Sequence, residues 1–253
     1  MEGAAVLDEL MANAWRPLFV ETVGGWRYRW ADGVTRRANS VLALDAGGDT
    51  SDLIDFAEAF YRDRGAAPLL QVSSASAPPD LVPQLRARGY GPSARTLVQQ
   101  APTSEVLERT NATLDVEITL EPTEEWFDAY WSIESGRGRS DADAIVCRDS
   151  LLAPGLPAAF AAARRDSDVV GVGQIVIERG WAGVQCMATN RAHRREGVGV
   201  AVLHELGNET FRQRAQNMYL AVMSDNSGAT GLYERGGFTT VHEYSYFTMG
   251  STD

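Results

Sequence analysis

A short segment rich in glycine and arginine, RREGVGV over residues 194–200, is the part of the sequence best suited to binding an anion. Gly197 and Gly199 stand directly before an apolar run with helical spacing, which indicates a turn that leads into a helix. The first backbone N–H groups of a helix have no intrahelical partner and lie at the positive end of its dipole. Glycines let a phosphate approach that backbone closely, and Arg194 and Arg195 add positive charge. The segment predicts a phosphate cradle, with a plain turn before a helix as the alternative.

The spacing of this segment differs from the two common nucleotide-binding patterns. It has no lysine for G-x-x-x-x-G-K-[ST] and no third glycine for G-x-G-x-x-G, and its own pattern is R-x-x-G-x-G. A second motif, SDNSGATGLYERGGF over residues 224–238, follows after a predicted helix and strand. In this order the two motifs resemble the signature of the GNAT superfamily of acyl-CoA-dependent N-acyltransferases. The resemblance covers residues 115–250 and implies that acetyl-CoA is the co-substrate.

The resemblance also implies a role for individual residues. The backbone N–H groups from Arg195 to Gly199, with the Arg194 side chain, would bind the CoA pyrophosphate. The strand edge at 186–189 would pair with the pantetheine amides, and Asn226 would hydrogen-bond the same arm. Tyr233 would face the thioester sulfur and act as the catalytic acid. The implied acetyl-CoA-binding residues are Cys186, Met187, Ala188, Thr189, Arg194, Arg195, Glu196, Gly197, Val198, Gly199, Val200, Asn226, Ala229 and Tyr233.

Each of these assignments has a structural alternative. Met187 is equally explained as core packing, Asn226 as a turn residue and Tyr233 as a core aromatic. Cys186 is either an acyl-carrying nucleophile or an inert packing residue of a buried strand.

The general base is not assigned by the sequence. A protonated amine has no lone pair for attack, so the acceptor must lose a proton to a base or to water. Many GNAT proteins have a glutamate on the strand before the pyrophosphate loop, but Gly183 stands at that place here. The remaining candidates are Glu178, Glu134, Asp143 and His242.

A cluster of acids and aromatic residues indicates where the acceptor binds. The resemblance implies that the first helices of the unit flank the acceptor cleft, and Trp126, Tyr130, Trp131 and Glu134 are the predicted substrate-binding residues. Such a wall suits a cationic small-molecule amine, such as an amino sugar or an amino-acid derivative. A solvated helix face, a protein N-terminus or lysine as acceptor, and a non-catalytic acyl-CoA sensor stay open. The acids of this region are Asp115, Glu117, Glu121, Glu124, Glu125, Asp128, Glu134, Asp141 and Asp143.

Composition and charge limit the other classes of function. The chain has 253 residues and a net charge of -11, and all 23 basic residues are arginine. A nucleic-acid groove needs a clustered positive face, so we expect no nucleic-acid partner. No apolar run approaches the roughly 18 residues of a membrane span, and the N-terminus does not resemble a secretory signal, so we expect a cytoplasmic protein without a membrane partner. Two cysteines and three scattered histidines offer no ligand spacing, and we expect no metal.

The order of predicted elements indicates an α/β (α+β) fold of two GNAT-like units, each a mixed, mostly antiparallel sheet flanked by helices. Residues 1–105 form a degenerate unit and 106–253 the catalytic one, because 24–100 repeats the element order of 168–249 while LRARGY (85–90) echoes LYERGGF. The loop DAGGDTS of the first unit is acidic and has no arginine, so it is not expected to bind CoA. RRANSV (36–41) is similar to tandem-GNAT proteins of actinobacteria, and a homodimer is possible.

Three local predictions can be checked directly against the structure. Asp32-Gly33 is the expected turn of a hairpin within residues 24–44. Residues 101–115 are expected to be a polar connector, and a helix is expected near 156–165.

Overall fold

The computed structural model describes residues 3–134, 138–153 and 155–250. The helices are α1 (Ala4–Ala14), α2 (Thr50–Arg62), α3 (Leu81–Ala87), α4 (Thr103–Arg109), α5 (Glu124–Glu134), α6 (Asp141–Val146), α7 (Val198–Arg212) and α8 (Ser227–Arg235). The strands are β1 (Phe19–Val23), β2 (Trp26–Trp30), β3 (Val41–Ala43), β4 (Leu70–Ser73), β5 (Tyr90–Pro102), β6 (Asp115–Thr119), β7 (Ala158–Arg165), β8 (Asp168–Glu178), β9 (Trp181–Thr189), β10 (Asn217–Met223) and β11 (Thr239–Met249).

All of these strands form one sheet, in the order β1-β2-β3-β4-β11-β5-β10-β9-β8-β7-β6. The last strand of the chain, β11, lies between β4 and β5 and is antiparallel to both. Strand β5 in turn lies between β11 and β10, again antiparallel to both. The two halves of the chain therefore exchange their final strands at the centre of the sheet.

The predicted fold class is confirmed, because the sheet is mixed, largely antiparallel and flanked by helices. Among the described strands, the parallel pairs are β3–β4 in the first half and β9–β10 in the second. The division at residue 105 stays a prediction, and the backbone ladder runs without a break through both halves.

Helix α7 covers one face of the second half through an apolar stripe that includes Val198, Val202 and Leu206. Two glycines of β8 let the helix approach this closely. A Cβ atom at Gly171 would lie 2.3 Å from Val198 Cγ1, and one at Gly173 would lie 2.7 Å from Val202 Cγ1. Burial of this stripe against the sheet contributes hydrophobic stabilisation to this half.

Helix α1 covers the opposite face at the centre of the sheet. Leu7, Leu10 and Met11 pack with Tyr219 and Tyr244, which belong to β10 and β11. The N-terminal helix therefore spans both halves. None of the helices in the described ranges combines the length and the apolar character needed to cross a membrane.

The structure corrects the three local predictions. The hairpin turn is Gly24-Gly25 between β1 and β2, and Asp32-Gly33 instead begins a loop that leads to β3. The expected connector contains α4. Residues 158–165 form β7 rather than a helix, because the alanines of this segment pack on both faces of a strand that lies between β6 and β8.

Candidate active site

The parallel strands β9 and β10 separate partway along their length and leave an opening in the sheet. Their pairing runs from Trp181↔Asn217 to Val184↔Leu220. Beyond these residues β10 stays with β5, while β9 continues to Thr189 beside β8. Within the described part of the chain, 185–189 therefore has a strand neighbour on the β8 side alone. The predicted pantetheine edge, 186–189, is this segment.

A β-bulge at Cys186 shapes this edge. Cys186 has φ +54°, and the β8–β9 register shifts between Val172 and Gln174. The Trp126 indole donates hydrogen bonds to Gly173 O at 3.2 Å and to Ala161 O at 3.0 Å, which satisfies backbone oxygens around the shift. The Cys186 thiol donates to Gln174 Oε1 at 3.5 Å. These contacts favour packing over nucleophilic chemistry for Cys186, and a bulge of this kind re-aims the backbone beside a site.

The segment after β9 leads into an open helix N-terminus, as the sequence predicted. Gly197 is the N-cap residue of α7, with φ +82° in the left-handed region, and no side chain caps the helix. The first N–H groups of α7 are therefore available to an anion. Arg191, Arg194 and Arg195 are exposed around this loop.

The acid in this loop has its charge paired. Glu196 Oε2 lies 3.1 Å from an Nη atom of Arg165 and 3.2 Å from His193 Nδ1. The Asn190 side chain accepts a hydrogen bond from Ala192 N at 3.0 Å and fixes the start of the loop. Glu196 therefore does not impose an unpaired negative charge on the predicted pyrophosphate position.

Helix α8 packs beside the start of α7. A Cβ atom at Gly199 would lie 3.1 Å from Leu232 Cδ2, so Gly199 lets the two helices approach, while the left-handed turn itself depends on Gly197. Asn226 caps α8 by accepting from Ala229 N at 3.2 Å. Among the described residues its NH₂ group has no hydrogen-bond acceptor, so the turn role and the predicted pantetheine contact are compatible.

Tyr233 of α8 belongs to the core cluster that also contains Val198 and Val222. Its ring contacts Phe238 edge-on, with centroids 5.9 Å apart. Burial raises the pKa of the Tyr233 hydroxyl, so the group keeps its proton at physiological pH. It therefore meets one requirement of a general acid, and its assigned role stays a prediction.

The space beside Gly183, where a glutamate base was expected, is occupied by the side chain of Tyr219. A Cβ atom at Gly183 would lie 2.5 Å from the Tyr219 hydroxyl oxygen, so no larger side chain fits there. Burial raises the pKa of Tyr219, which is neutral and unsuited to accepting a proton.

The other candidate bases are engaged in structural contacts. Glu178 accepts from Asn13 at 3.1 Å, and Asp143 completes a capping box at the start of α6. His242 Nε2 lies 2.9 Å from Asp8 Oδ1, and its Nδ1 atom is buried without a partner in the described ranges. The side chain of Glu134 lies outside the described part of the structure.

The predicted acceptor residues mostly contact the core or other surface charges. Trp126 and Tyr130 are buried and stacked at 5.5 Å, and Trp131 stacks on Phe127 at 5.9 Å. Three of the acids have arginine partners: Glu117 and Glu125 pair with Arg164 at 3.1 and 2.5 Å, and Glu124 pairs with Arg148 at 2.5 Å. Their role as a cleft wall stays a prediction.

The corresponding helix start in the first half is closed. The Asp49 carboxylate caps α2 by accepting from Ser51 N at 2.9 Å and Asp52 N at 3.2 Å. A negative charge of the chain thus occupies the place that an anion would take.

The opening between β3 and β4 is also bridged. Ala77 N donates to Ala43 O at 3.0 Å, and the Trp26 indole N–H lies 3.1 Å from both Asp45 O and Ala77 O. These contacts favour the prediction that the first half binds no CoA.

Sequence reasoning missed the residues that the first half brings to the second. Arg37 lies over the Trp15 ring, with 5.6 Å from its Cζ to the ring centroid, and its guanidinium lies 3.5 Å from Gln185 Oε1. Gln185 Nε2 also donates to Ala14 O at 3.0 Å. The motif RRANSV was the available signal, but nothing in the sequence indicated which strand it faces.

The structure offers no assembled metal site. In the described ranges, no three His, Cys, Asp or Glu side chains come together as metal ligands would.

Comparisons with known proteins agree with this geometry. The family model described as "Probable histone acetyltransferase Rv0428c C-terminal" matches residues 5–247. The uncharacterized N-acetyltransferase YobR of Bacillus subtilis (strain 168) is 27% identical over 248 residues, which cover 97% of this chain and 98% of that protein.

Solved structures show the same fold at low sequence identity. A GCN5-related N-acetyltransferase from Kribbella flavida matches with a TM-score of 0.71 and 16% identity, covering 100% of this chain and 97% of that one. A tandem GNAT protein from the clavulanic acid biosynthesis pathway matches with a TM-score of 0.71 and 14% identity, covering 98% and 89%. Because the family model spans nearly the whole chain, this protein belongs to the Rv0428c C-terminal acetyltransferase family and is an N-acetyltransferase of the GNAT type.

Proposed function

We propose that this protein transfers an acetyl group from acetyl-CoA to the primary amine of a small molecule. The observation that carries the proposal is the continuity between the 185–189 edge and the uncapped N-terminus of α7. An extended arm with two amides and a terminal pyrophosphate has matching groups along this path. No other helix start in the described ranges combines such an edge with exposed arginines.

The residues along this path fit acetyl-CoA in their chemistry. Gly197 presents backbone without a Cβ atom, Arg194 and Arg195 supply positive charge, and Glu196 is neutralised by Arg165. Strand edge 186–189 would hold the pantetheine arm together with the NH₂ group of Asn226, which has no acceptor among the described residues. When bound, acetyl-CoA supplies the activated acetyl group and a thiolate leaving group.

Tyr233 is the proposed acid. Its buried hydroxyl keeps a proton through the physiological range and would donate it to the departing sulfur. The described carboxylates and histidines considered as bases are held by other contacts, so we propose that the acceptor ammonium loses its proton to water.

Two observations bear on the class of acceptor. The acids of 115–143 favour a cationic amine, yet Glu117, Glu124 and Glu125 are paired with arginines. The description of the matching family names histone acetylation, so a lysine-containing peptide is the second candidate.

The direct test is release of CoA thiol from acetyl-CoA with a panel of acceptors. The panel contains amino sugars, amino acids, polyamines and a lysine-rich peptide, and each product is checked by mass spectrometry for one added acetyl group. We expect steady release that depends on a small-molecule amine. Exclusive acetylation of the peptide would replace this acceptor class, and acetyl-CoA binding without turnover on any amine would identify a sensor instead.

A further inference from the structure

Two arginines of the first half, Arg29 and the half-buried Arg37, lie at the junction with the second half without a carboxylate partner in the described ranges. Arg29 is 1% exposed, and its hydrogen bonds go to neutral groups: Ser40 O at 2.9 Å, Ser40 Oγ at 2.8 Å and Gln71 Oε1 at 2.9 Å. Its remaining Nη1 atom is buried with no partner in the described ranges. Arg37 contacts the Gln185 amide oxygen and the Trp15 ring, which are also neutral.

The positive charges of Arg29 and Arg37 are not balanced by a neighbouring carboxylate in the described part of the chain. Burial lowers the pKa of Arg29, and the nearby positive charge of Arg37 acts in the same direction. Desolvated charges are ordinarily paired, because removing a charge from water without a partner is strongly unfavourable. Elsewhere at this junction pairing is the rule, since Glu9 lies 3.0 Å from an Nη atom of both Arg27 and Arg179.

The loop 31–40 holds the two arginines in place. The Asn39 side chain accepts from Ala31 N and Gly33 N at 2.8 and 3.0 Å, and donates to Val34 O and Thr35 O at 2.8 Å each. Ser40, the next residue, supplies two of the three acceptors of Arg29. The motif RRANSV therefore builds a rigid support for two positive charges.

A pocket adjoins this support at Arg29, and Arg37 lies outside its lining. It has a volume of about 400 Å³, and Arg29, Arg27, Asn13 and Glu178 are among its lining residues. Asn13 lines the pocket, and the next residue in sequence is Ala14. The Ala14 carbonyl accepts a hydrogen bond from Gln185, which directly precedes the predicted pantetheine edge. A small molecule in this junction pocket would thus contact Arg29, next to the chain segment that carries the Ala14–Gln185 hydrogen bond.

We propose that Arg29 and Arg37 bind the carboxylate of the acceptor, so that the substrate is a small amine that also carries a carboxylate, such as an amino-acid derivative. Guanidinium groups suit this role because they donate paired hydrogen bonds to carboxylates. The inference rests on the proposed acetyl transfer and narrows its acceptor class. It also disfavours a histone-like peptide, which is strongly cationic.

The test compares amino acids with their own carboxamides, which keep the amine and the shape but remove the negative charge. A series of α- and ω-amino acids of increasing length is assayed by CoA release. We expect the wild type to prefer the carboxylate form by roughly 10²-fold or more in kcat/KM, since a site built for a polar group rejects the analogue that lacks it. Arg37→Gln should reduce that preference below about tenfold through a higher KM for the carboxylate form, with activity on the carboxamide little changed.

Arg36→Gln is the matched control, because Arg36 lies in the same loop, is exposed and makes no side-chain hydrogen bond or ion pair in the described ranges. It should keep the wild-type preference, and Arg37→Lys should keep part of it. Equal kcat/KM for acid and carboxamide in the wild type, or an unchanged preference in Arg37→Gln, would overturn the proposal.

A second measurement separates this inference from the proposed function. N-acetylated amino acids, which contain no reactive amine, should raise the Tm of the wild type and of Arg36→Gln but not of Arg37→Gln. If no amine releases CoA, the proposed function fails, and this thermal shift still decides whether the arginines bind a carboxylate. Absence of a wild-type shift would overturn the anion site, and a shift without carboxylate preference in catalysis would assign the site to a bound anion other than the acceptor.

Discussion

At the scale of single residues, the proposed chemistry depends on Tyr233 and on the absence of a side chain at Gly183. Tyr219 covers Gly183 so closely that a glutamate cannot occupy this position, which explains why the sequence shows no base there. Tyr233, the proposed acid, lies in an apolar cluster, and its burial keeps the hydroxyl protonated. Proton donation to the leaving group is therefore assigned to a side chain, while proton removal from the amine is assigned to water.

Replacing Tyr233 with phenylalanine tests the acid. The ring and its contact with Phe238 are kept, so acetyl-CoA should bind almost normally while kcat falls by roughly 10²–10⁴-fold. The measurement is steady-state kinetics with acyl donors of different thiol pKa, and the loss should shrink as the leaving thiol becomes more acidic. A wild-type kcat with the same leaving-group dependence would return Tyr233 to a packing role, with a loss of about 1 kcal/mol of stability at most.

At the scale of elements, the N-termini of α2 and α7 occupy corresponding positions in the two halves but differ in capping. Helix α2 is capped by the Asp49 carboxylate, whereas α7 begins at Gly197 without a side-chain cap. The dipole and the free N–H groups of α7 therefore remain available for an anion, and Arg194 stands exposed beside them. Loss of a single charge here should weaken binding without disturbing the core.

The variant Arg194→Ala should raise the Kd for acetyl-CoA about tenfold, and the wild-type Kd should rise with ionic strength. Isothermal calorimetry measures both. Arg86→Ala, an exposed arginine on α3, is the control and should bind like the wild type. An unchanged Kd for Arg194→Ala would place the pyrophosphate elsewhere.

The sequence predicted most elements because their turns and apolar periods are local signals. Both halves of the β8–β9 hairpin, helix α7 and the cap at Asn226 follow from such signals. The prediction of a helix for the alanine run of β7 was wrong, because pairing with β6 and β8 on its two edges overrides the helix propensity of alanine. The contact between Arg37 and Gln185 spans the two halves, and no local pattern specifies it.

At the scale of the whole molecule, the exchange of β5 and β11 makes the two halves one structural unit. β11 completes the sheet of the first half, and β5 completes that of the second. The first half contributes α1 and the loop 31–40 to the junction beside 185–189, although its own opening is bridged by Trp26 and by the Ala77–Ala43 hydrogen bond. We therefore propose that it serves the second half as a wall of the acceptor site rather than as a second transferase.

The number of acetyl-CoA molecules bound per chain tests this central claim most directly. Because α2 is capped by Asp49 and α7 is open, calorimetric titration of the full chain should give one site. The Kd of that site should rise in the Arg194→Ala variant. The same titration with CoA should also give one site. A stoichiometry of two would show that the first half binds the co-substrate as well, and one site that is insensitive to Arg194 would contradict the assignment to α7.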